Sequence, residues 1–303
     1  MATPAHALEL AEASSARGAR GALYSLRPQQ WTKNLLLFGG IVFAAELGDG
    51  SRWLAAVAAF AAFCAASSAA YLVNDVRDAH EDRLHPLKCR RPVAAGTLAR
   101  SVALRLAAAL AAAAVAPAVV LGWAFLGFLL GFLALQAAYT LVLKRVVLVD
   151  VVAIAGLFVL RAGAGAIAVD VRISPWLLLC TGLLALFLAL GKRRGELVLV
   201  GAEETPGRPV LAGYSLSLLD RLIAVVAAST IVAYALYSVT ARDSVALVAT
   251  VPFVVFGVAR YLLLLHRGGA GEEPDQVLVT DVPVLLTVAA WAATSATILA
   301  VTG

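Results

Sequence analysis

The chain has 303 residues, of which 62% are hydrophobic and 14% charged, and a formal net charge of +5. That is too apolar for a soluble domain of this length and too rich in Ala, Leu and Val for disorder, which leaves a polytopic membrane protein. The positive surplus does not indicate nucleic acid, because no basic face interleaved with aromatics lies outside the loops between apolar segments.

Residues 1–20 lack the continuous apolar core of a secretory signal and read as a disordered tail, so that residues 21–303 form a single transmembrane domain. From Gly21 to Lys33 the sequence GALYSLRPQQWTK mixes Leu23, Tyr24, Leu26 and Trp31 with Arg27 and Lys33, the pattern of an interfacial helix with aromatic and basic anchors. Since a crossing needs roughly 20 apolar residues, the hydrophobic runs predict about nine helices in an all-α bundle. They lie near 34–48, 52–73, 101–121, 123–142, 146–168, 174–191, 222–240, 243–263 and 283–302. The first is short and carries Glu46.

Lys and Arg collect before span one, after span two, after span four and after span six, whereas the opposite loops hold only Arg52, Arg172 and Arg242. The positive-inside rule therefore places the N-terminus and two long loops in the cytoplasm and the C-terminus outside, for a multi-pass protein of the cell membrane. Cys64, Cys89 and Cys180 are scattered and form neither a disulfide framework nor a zinc site. Arg91–Gly96 reads RPVAAG and Arg208–Gly213 reads RPVLAG, each closing a long cytoplasmic loop. Either spans one to four and five to eight are related halves, or the match is a coincidence of an Ala-rich and Leu-rich chain.

Chemistry concentrates in NDVRDAHEDRLHPLKCRRPVAAG, from Asn74 to Gly96. Asn74, Asp78 and Asp82 are spaced i, i+4, i+8 with Asp75 beside them, so a continuing helix puts their oxygens on one face. Several carboxylates in a partly dehydrated site need a cation, and oxygen-only ligands favour Mg²⁺ completed by substrate phosphates. The plainer reading is a solvated helix whose Asp and Arg residues pair on the surface. Arg83, Lys88, Arg90 and Arg91 follow at once.

The pattern NDxxDxxxD formed by Asn74, Asp75, Asp78 and Asp82, placed after the second span, resembles the first signature of the UbiA-type intramembrane prenyltransferase superfamily. The resemblance covers residues 21–303 and implies a UbiA-like helical bundle. Members that consume a prenyl diphosphate carry a second aspartate-rich motif in the loop after span six, where this chain reads GKRRGEL, with Lys192, Arg193, Arg194 and the single acid Glu196. That substitution, with RPQQWTKN at Arg27–Asn34 and YTLVLKR at Tyr139–Arg145, is similar to the decaprenyl-phosphate phosphoribosyltransferase branch.

The branch resemblance implies Mg²⁺ as cofactor, phosphoribosyl pyrophosphate as soluble donor and a polyprenyl phosphate as membrane-borne acceptor; it leaves open a homo-oligomer. It implies metal binding by Asn74, Asp75, Asp78 and Asp82, with the three aspartates catalytic. Lys33, Arg83, Lys88, Arg90, Arg91, Tyr139, Lys144, Arg145, Lys192, Arg193 and Glu196 are the substrate-binding candidates. Lys33 is equally an anchor, Tyr139 an interfacial aromatic, and Lys144 and Arg145 topology charges. Arg161, inside the fifth span, needs a partner or water, and Asp150 is too far along the same helix to provide one. Two rival functions remain. A prenyltransferase acting on an aromatic or polar acceptor lacks its second aspartate cluster, and a transporter is expected to place its ionisable residues near the bilayer midplane rather than at one face.

Overall fold

The computed structural model describes residues 20–43, 48–84, 88–200, 209–240, 245–267, 277 and 280–302, and all their regular elements are helical. The expected tail at 1–20 therefore falls, apart from Arg20, outside the described residues. A short helix, α1 (20–25), precedes a 3-10 helix, Pro28–Phe38, which runs into α2 (Gly39–Phe43). There follow α3 (Gly50–Arg77), α4 (Ala79–Leu84), α5 (Arg100–Val120), α6 (Trp123–Leu141), α7 (Val149–Ala168), α8 (Pro175–Val200), α9 (Leu216–Thr240), α10 (Val251–Arg267) and α11 (Val282–Thr302). Among the described residues, eight helices are long and apolar enough to cross a membrane.

The predicted first span is built differently from the other eight. Its residues form the 11-residue 3-10 helix and the 5-residue α2 instead of one long α-helix. At about 2.0 Å per residue for the first and 1.5 Å for the second, the two extend roughly 30 Å, close to the hydrocarbon thickness. Both ends are fixed. Arg27, just before the 3-10 helix, pairs with Asp75 at the C-terminal end of α3, and the chain must return to Gly50 to start α3, a helix about 42 Å long. The expected first span is thus not among the eight helices long and apolar enough to cross a membrane, although Arg27 and Gly50 put its two ends at opposite ends of α3.

The segment packs backbone to backbone against α7. A Cβ on Gly165 of α7 would stand 2.2 Å from the Leu37 carbonyl oxygen, and one on Gly40 would stand 2.8 Å from the Ala166 Cα. Small residues let the two backbones touch, which is how helices associate in lipid, where the solvent supplies no hydrophobic drive. We expect Gly165→Val to destabilise the protein by about 2 kcal/mol or more through overpacking, seen as a lowered melting temperature in detergent. An unchanged melting temperature would mean that this contact is loose.

α3 and α7 form the centre, burying 56% and 61% of their apolar windows against 17–39% for the other long helices. α3 starts cleanly because Asp49 caps it, accepting from the Ser51 amide at 2.8 Å. On one side of α7, Leu157, Ala164 and Ala168 pack with Leu37, Phe63, Phe125, Leu129 and Phe132. On the other, Val151 joins Phe187, Leu190, Leu219, Ile223 and Tyr261 from α8, α9 and α10. A third apolar cluster, made by Leu72, Ala79, Val93 and Leu98 with Ala22 and Leu26, clasps α1 to the loop between α4 and α5.

The ion pairs that join different helices near their ends fall at the face shared by the α3 C-terminus, the α7 N-terminus and the α8 C-terminus. The same face carries the basic loops and is the cytoplasmic one by the positive-inside rule. Two further expectations meet the structure here. GKRRGEL lies on the continuing α8, which runs to Val200, and not in a loop after residue 191. An Arg193–Glu196 pair one turn apart and the anchoring of Arg193 by Asp150 give that polar turn helical partners. The two similar hexapeptides occupy equivalent places: Val93 and Ala94 are buried before α5, and Val210 and Leu211 before α9, while Arg208 is outside the described residues.

Candidate active site at the cytoplasmic face

The aspartates sit where α3 bends into α4. Asp78 has φ −87° and ψ 7°, outside the helical region, yet its amide donates to the Asn74 carbonyl at 2.8 Å and its own carbonyl accepts from the Asp82 amide at 2.8 Å. The bend separates the carboxylates into two directions. Asp75, 1% exposed, meets Arg27 Nη2 at 2.5 Å and Arg91 Nη1 at 3.4 Å. Asp82, 4% exposed, meets that same Arg91 nitrogen at 2.8 Å. Asp78 turns instead to Lys144, whose Nζ lies 2.6 and 2.7 Å from its two oxygens.

Each carboxylate is thus matched by a cation from a distant part of the chain: the segment before the Pro28–Phe38 helix, the loop before α5, and the turn after α6. In the sequence Arg27 is an interfacial anchor and the first residue of the RPQQWTKN motif, and neither reading points to its pairing with Asp75. Its backbone is left-handed, φ 52° and ψ 60°, immediately before Pro28, and its guanidinium also lies 4.8 Å from the centre of the Tyr71 ring. The α conformations are disfavoured for a residue preceding proline and left-handed geometry is uncommon outside Gly, so the surroundings must hold this shape. Ser68 does part of this, donating from Oγ to the Leu26 carbonyl at 2.9 Å while accepting from Trp31 Nε1 at 3.1 Å.

The remaining candidates are distributed as follows. Asn74 is half-buried at the end of α3. Arg83 is exposed and braces the loop through Nε to the Ala94 carbonyl at 3.0 Å, while Lys88 and Arg90 flank a single 3-10 turn before Arg91. Lys33 reaches Gln30 Oε1 at 2.5 Å, Arg145 is exposed beside Lys144, and Lys192 is half-buried on α8.

Arg193, Glu196 and Tyr139 belong to a second cluster. Arg193 is 1% exposed and gives Nε to Asp150 Oδ2 at 2.6 Å, Nη1 to Glu196 and Nη2 to the Tyr139 hydroxyl at 3.2 Å. Tyr214 completes it, donating to Asp150 Oδ1 at 2.6 Å and accepting the Leu148 amide at 2.8 Å. Burial and its bond to Asp150 push the Tyr214 phenol well above its ordinary pKa, so it remains a donor. The two clusters adjoin through the end of α6, since Tyr139 and Lys144 are five residues apart. Asp150 and Tyr214 were missed as site-building residues; an acid at the second position of an apolar span was the available signal for Asp150.

Arg161 gives Nε to Asn34 Oδ1 at 2.8 Å and Nη1 to the Leu157 carbonyl at 3.1 Å, and stacks 4.5 Å from the Phe132 ring centre. It ties α7 to the Pro28–Phe38 helix within the bundle, and Asp150 is indeed not its partner.

Among the described residues, no three His, Cys, Asp or Glu side chains gather at metal spacing. The donor set nevertheless fits a hard cation. Asp75 and Asp82, both buried, share one cation, Arg91, and Asp75 also holds Arg27, so two carboxylates lie close enough to share a positive charge. Mg²⁺ commonly takes one or two carboxylates and leaves the rest of its shell to water and substrate phosphate.

The structure is an all-helical membrane bundle with carboxylates and cations interleaved at one end. The chain belongs to the UbiA prenyltransferase family, whose profile matches residues 35–278. It is 34% identical over 296 residues to a decaprenyl-phosphate phosphoribosyltransferase of Mycolicibacterium smegmatis, covering 90% of this chain and 91% of that one. Identity to the enzyme of the same name from Mycobacterium tuberculosis is 33% over 284 residues, covering 90% and 92%. In three dimensions it resembles a UbiA homolog from Archaeoglobus fulgidus solved with GPP and Mg²⁺, with a TM-score of 0.73 and 19% identity over 93% of this chain and 99% of the other.

Proposed function

We propose that the protein transfers the 5-phosphoribosyl group of phosphoribosyl pyrophosphate to a polyprenyl phosphate at the cytoplasmic membrane face, releasing pyrophosphate. The observation that carries this reading is the replacement of a second acidic cluster by basic residues: the cytoplasmic turn of α8 carries Lys192 beside the buried Arg193, with Glu196 as its one acid, while Arg194 is engaged by Asp220 at 2.6 Å. Support also comes from the names of the relatives at 33–34% identity over nine-tenths of the chain. A phosphoribosyl donor brings a monophosphate in addition to its diphosphate, and the acceptor brings another phosphate, so a site rich in cations suits it better than one rich in metals.

In this reading Asp75 and Asp82, with Asp78 and Asn74 at the bend, hold Mg²⁺, which when bound neutralises charge on the departing pyrophosphate. Arg91, Lys144 and Lys192, helped by Arg83, Lys88, Arg90, Arg145 and Lys33, bind and orient phosphate groups. The bond from the anomeric carbon to the pyrophosphate oxygen breaks and a bond to an oxygen of the lipid phosphate forms. A phosphate monoester is largely ionised at neutral pH, its second pKa being about 6, so no side chain need remove a proton. Holding a lipid acceptor against a soluble donor is the main catalytic contribution of the protein.

The test is incubation of purified protein with radiolabelled phosphoribosyl pyrophosphate, Mg²⁺ and polyprenyl phosphate. Label entering the lipid is the expected result; absence of transfer together with consumption of a prenyl diphosphate would replace this reading by prenyl transfer. Lys192→Ala is expected to raise KM for the donor roughly tenfold, the equivalent of about 1.4 kcal/mol. An unchanged KM would leave Lys192 as a topology charge.

A further inference from the structure

We propose that Arg27 is an internal counter-ion that keeps bare metal off Asp75, so that the site accepts a divalent cation only together with a diphosphate, whose charge then takes over Arg27. The inference rests on the donor carrying a diphosphate, as in the function proposed above. It starts from charge balance. Asp75 is almost fully buried, and a buried carboxylate must be neutralised in every state of the site. Here the neutralising groups are Arg27 at 2.5 Å and Arg91 at 3.4 Å, and Arg91 is shared with Asp82.

A metal entering alone must displace a guanidinium from Asp75 and leave it facing the metal at close range, which is unfavourable because the two are alike in charge. A metal entering with a diphosphate does not meet that difficulty. The phosphate oxygens accept from the displaced guanidinium, and the metal binds the carboxylate the guanidinium has left.

Arg27 is built for such an exchange. It is held by its left-handed backbone at the start of the Pro28–Phe38 helix, its guanidinium is stacked near Tyr71, and its side chain is 19% exposed while its partner is 2% exposed. The cation can therefore swing toward solvent and substrate without the carboxylate moving. Arg91 stays near Asp75 when Arg27 is removed, so the variant retains a counter-charge for folding.

The experiment uses the full-length protein in lipid nanodiscs with Mn²⁺ as the metal and inorganic pyrophosphate as the diphosphate. Bound Mn²⁺ is read by electron paramagnetic resonance and pyrophosphate binding by calorimetry. Arg27→Gln is expected to bind Mn²⁺ alone roughly tenfold more tightly and pyrophosphate with Mn²⁺ roughly tenfold more weakly, each the equivalent of about 1.4 kcal/mol. Arg27→Lys, which keeps the charge, should lie near wild type. The opposite signs separate this role from a merely structural one, which would weaken both. Mn²⁺ affinity that is unchanged or reduced in Arg27→Gln overturns the proposal.

Wild type supplies a second measurement that needs no variant: pyrophosphate must raise the affinity of the protein for Mn²⁺, and by linkage Mn²⁺ must raise that for pyrophosphate. Independent binding of the two overturns the proposal as well. If the crossed signs appear but no label passes from phosphoribosyl pyrophosphate to lipid, the counter-ion role stands and the proposed donor falls. Transfer without crossed signs has the opposite meaning.

Discussion

Replacing Arg193 by methionine is expected to cost about 3–5 kcal/mol of stability, because it leaves a buried carboxylate without its counter-charge. Asp150 is 0% exposed at its side chain and takes its charge-assisted bond from Arg193 Nε at 2.6 Å; without the guanidinium it retains only the Tyr214 hydroxyl among the contacts described above. Tyr139 and Glu196 lose the same partner, so α6, α7 and α8 come apart at one point. The check is unfolding in detergent, followed by tryptophan fluorescence. The double variant Arg193→Met with Asp150→Leu should recover much of the loss, since removing both members of a buried pair is far milder than removing one. If the single variant melts like wild type, Arg193 is no keystone and its place in a phosphate cradle regains force.

Asp75→Asn should lower kcat/KM by about 10²–10³-fold, the scale associated with loss of one preorganised electrostatic contact in a dehydrated site. The amide keeps the shape of the carboxylate but not its charge, which leaves Arg27 without the Asp75 carboxylate and Arg91 with that of Asp82 alone. The protein should remain folded, because both guanidiniums are about one-fifth exposed and reach water. A variant that turns over normally at ordinary Mg²⁺ would remove Asp75 from the metal site.

Much of this architecture was legible in the sequence. Eight of the nine predicted spans are long helices, because a run of about 20 apolar residues has few alternatives in lipid; α8 runs nine residues past its expected end and α9 starts six residues before its expected beginning, where polar turns continue the helix. The ninth, at 34–48, was visible as an apolar run, but its 3-10 form was not. Its backbone meets that of Gly165 and Ala166 at Leu37 and Gly40, more than a hundred residues away, a closeness that no local window shows. The bend at Asp78 escaped for a similar reason: helical spacing puts Asn74, Asp78 and Asp82 on one face, but the pull of Lys144 lies outside any local window.

The cations divided in the same manner. Arg91 pairs with Asp75 and Asp82 and Lys144 with Asp78, contacts that no local spacing specifies. Arg193 was identified as functional from the motif it replaces, and the structure places it in a buried network with Asp150, Tyr139, Glu196 and, through Asp150, Tyr214. No spacing rule links residues 150, 193 and 214, since they meet only when α7, α8 and the segment before α9 pack. Arg27 had the appearance of an anchor because Trp31 and Tyr24 surround it in sequence; its pairing with Asp75 spans 48 residues.

The segment before α3 runs beside the bundle as an eleven-residue 3-10 helix and a five-residue α-helix, where an ordinary span takes about 20 residues. A tilted α-helix answers a thicker membrane by standing upright. A 3-10 helix already has the longer rise per residue and little length left to give without losing its hydrogen bonds. Hydrophobic mismatch is therefore felt first at the foot of this segment, where Arg27 and Trp31 lie. The Arg27–Asp75 pair is thus where a change of lipid chain length is expected to register, linking the mechanics of the bilayer to the charge at its surface.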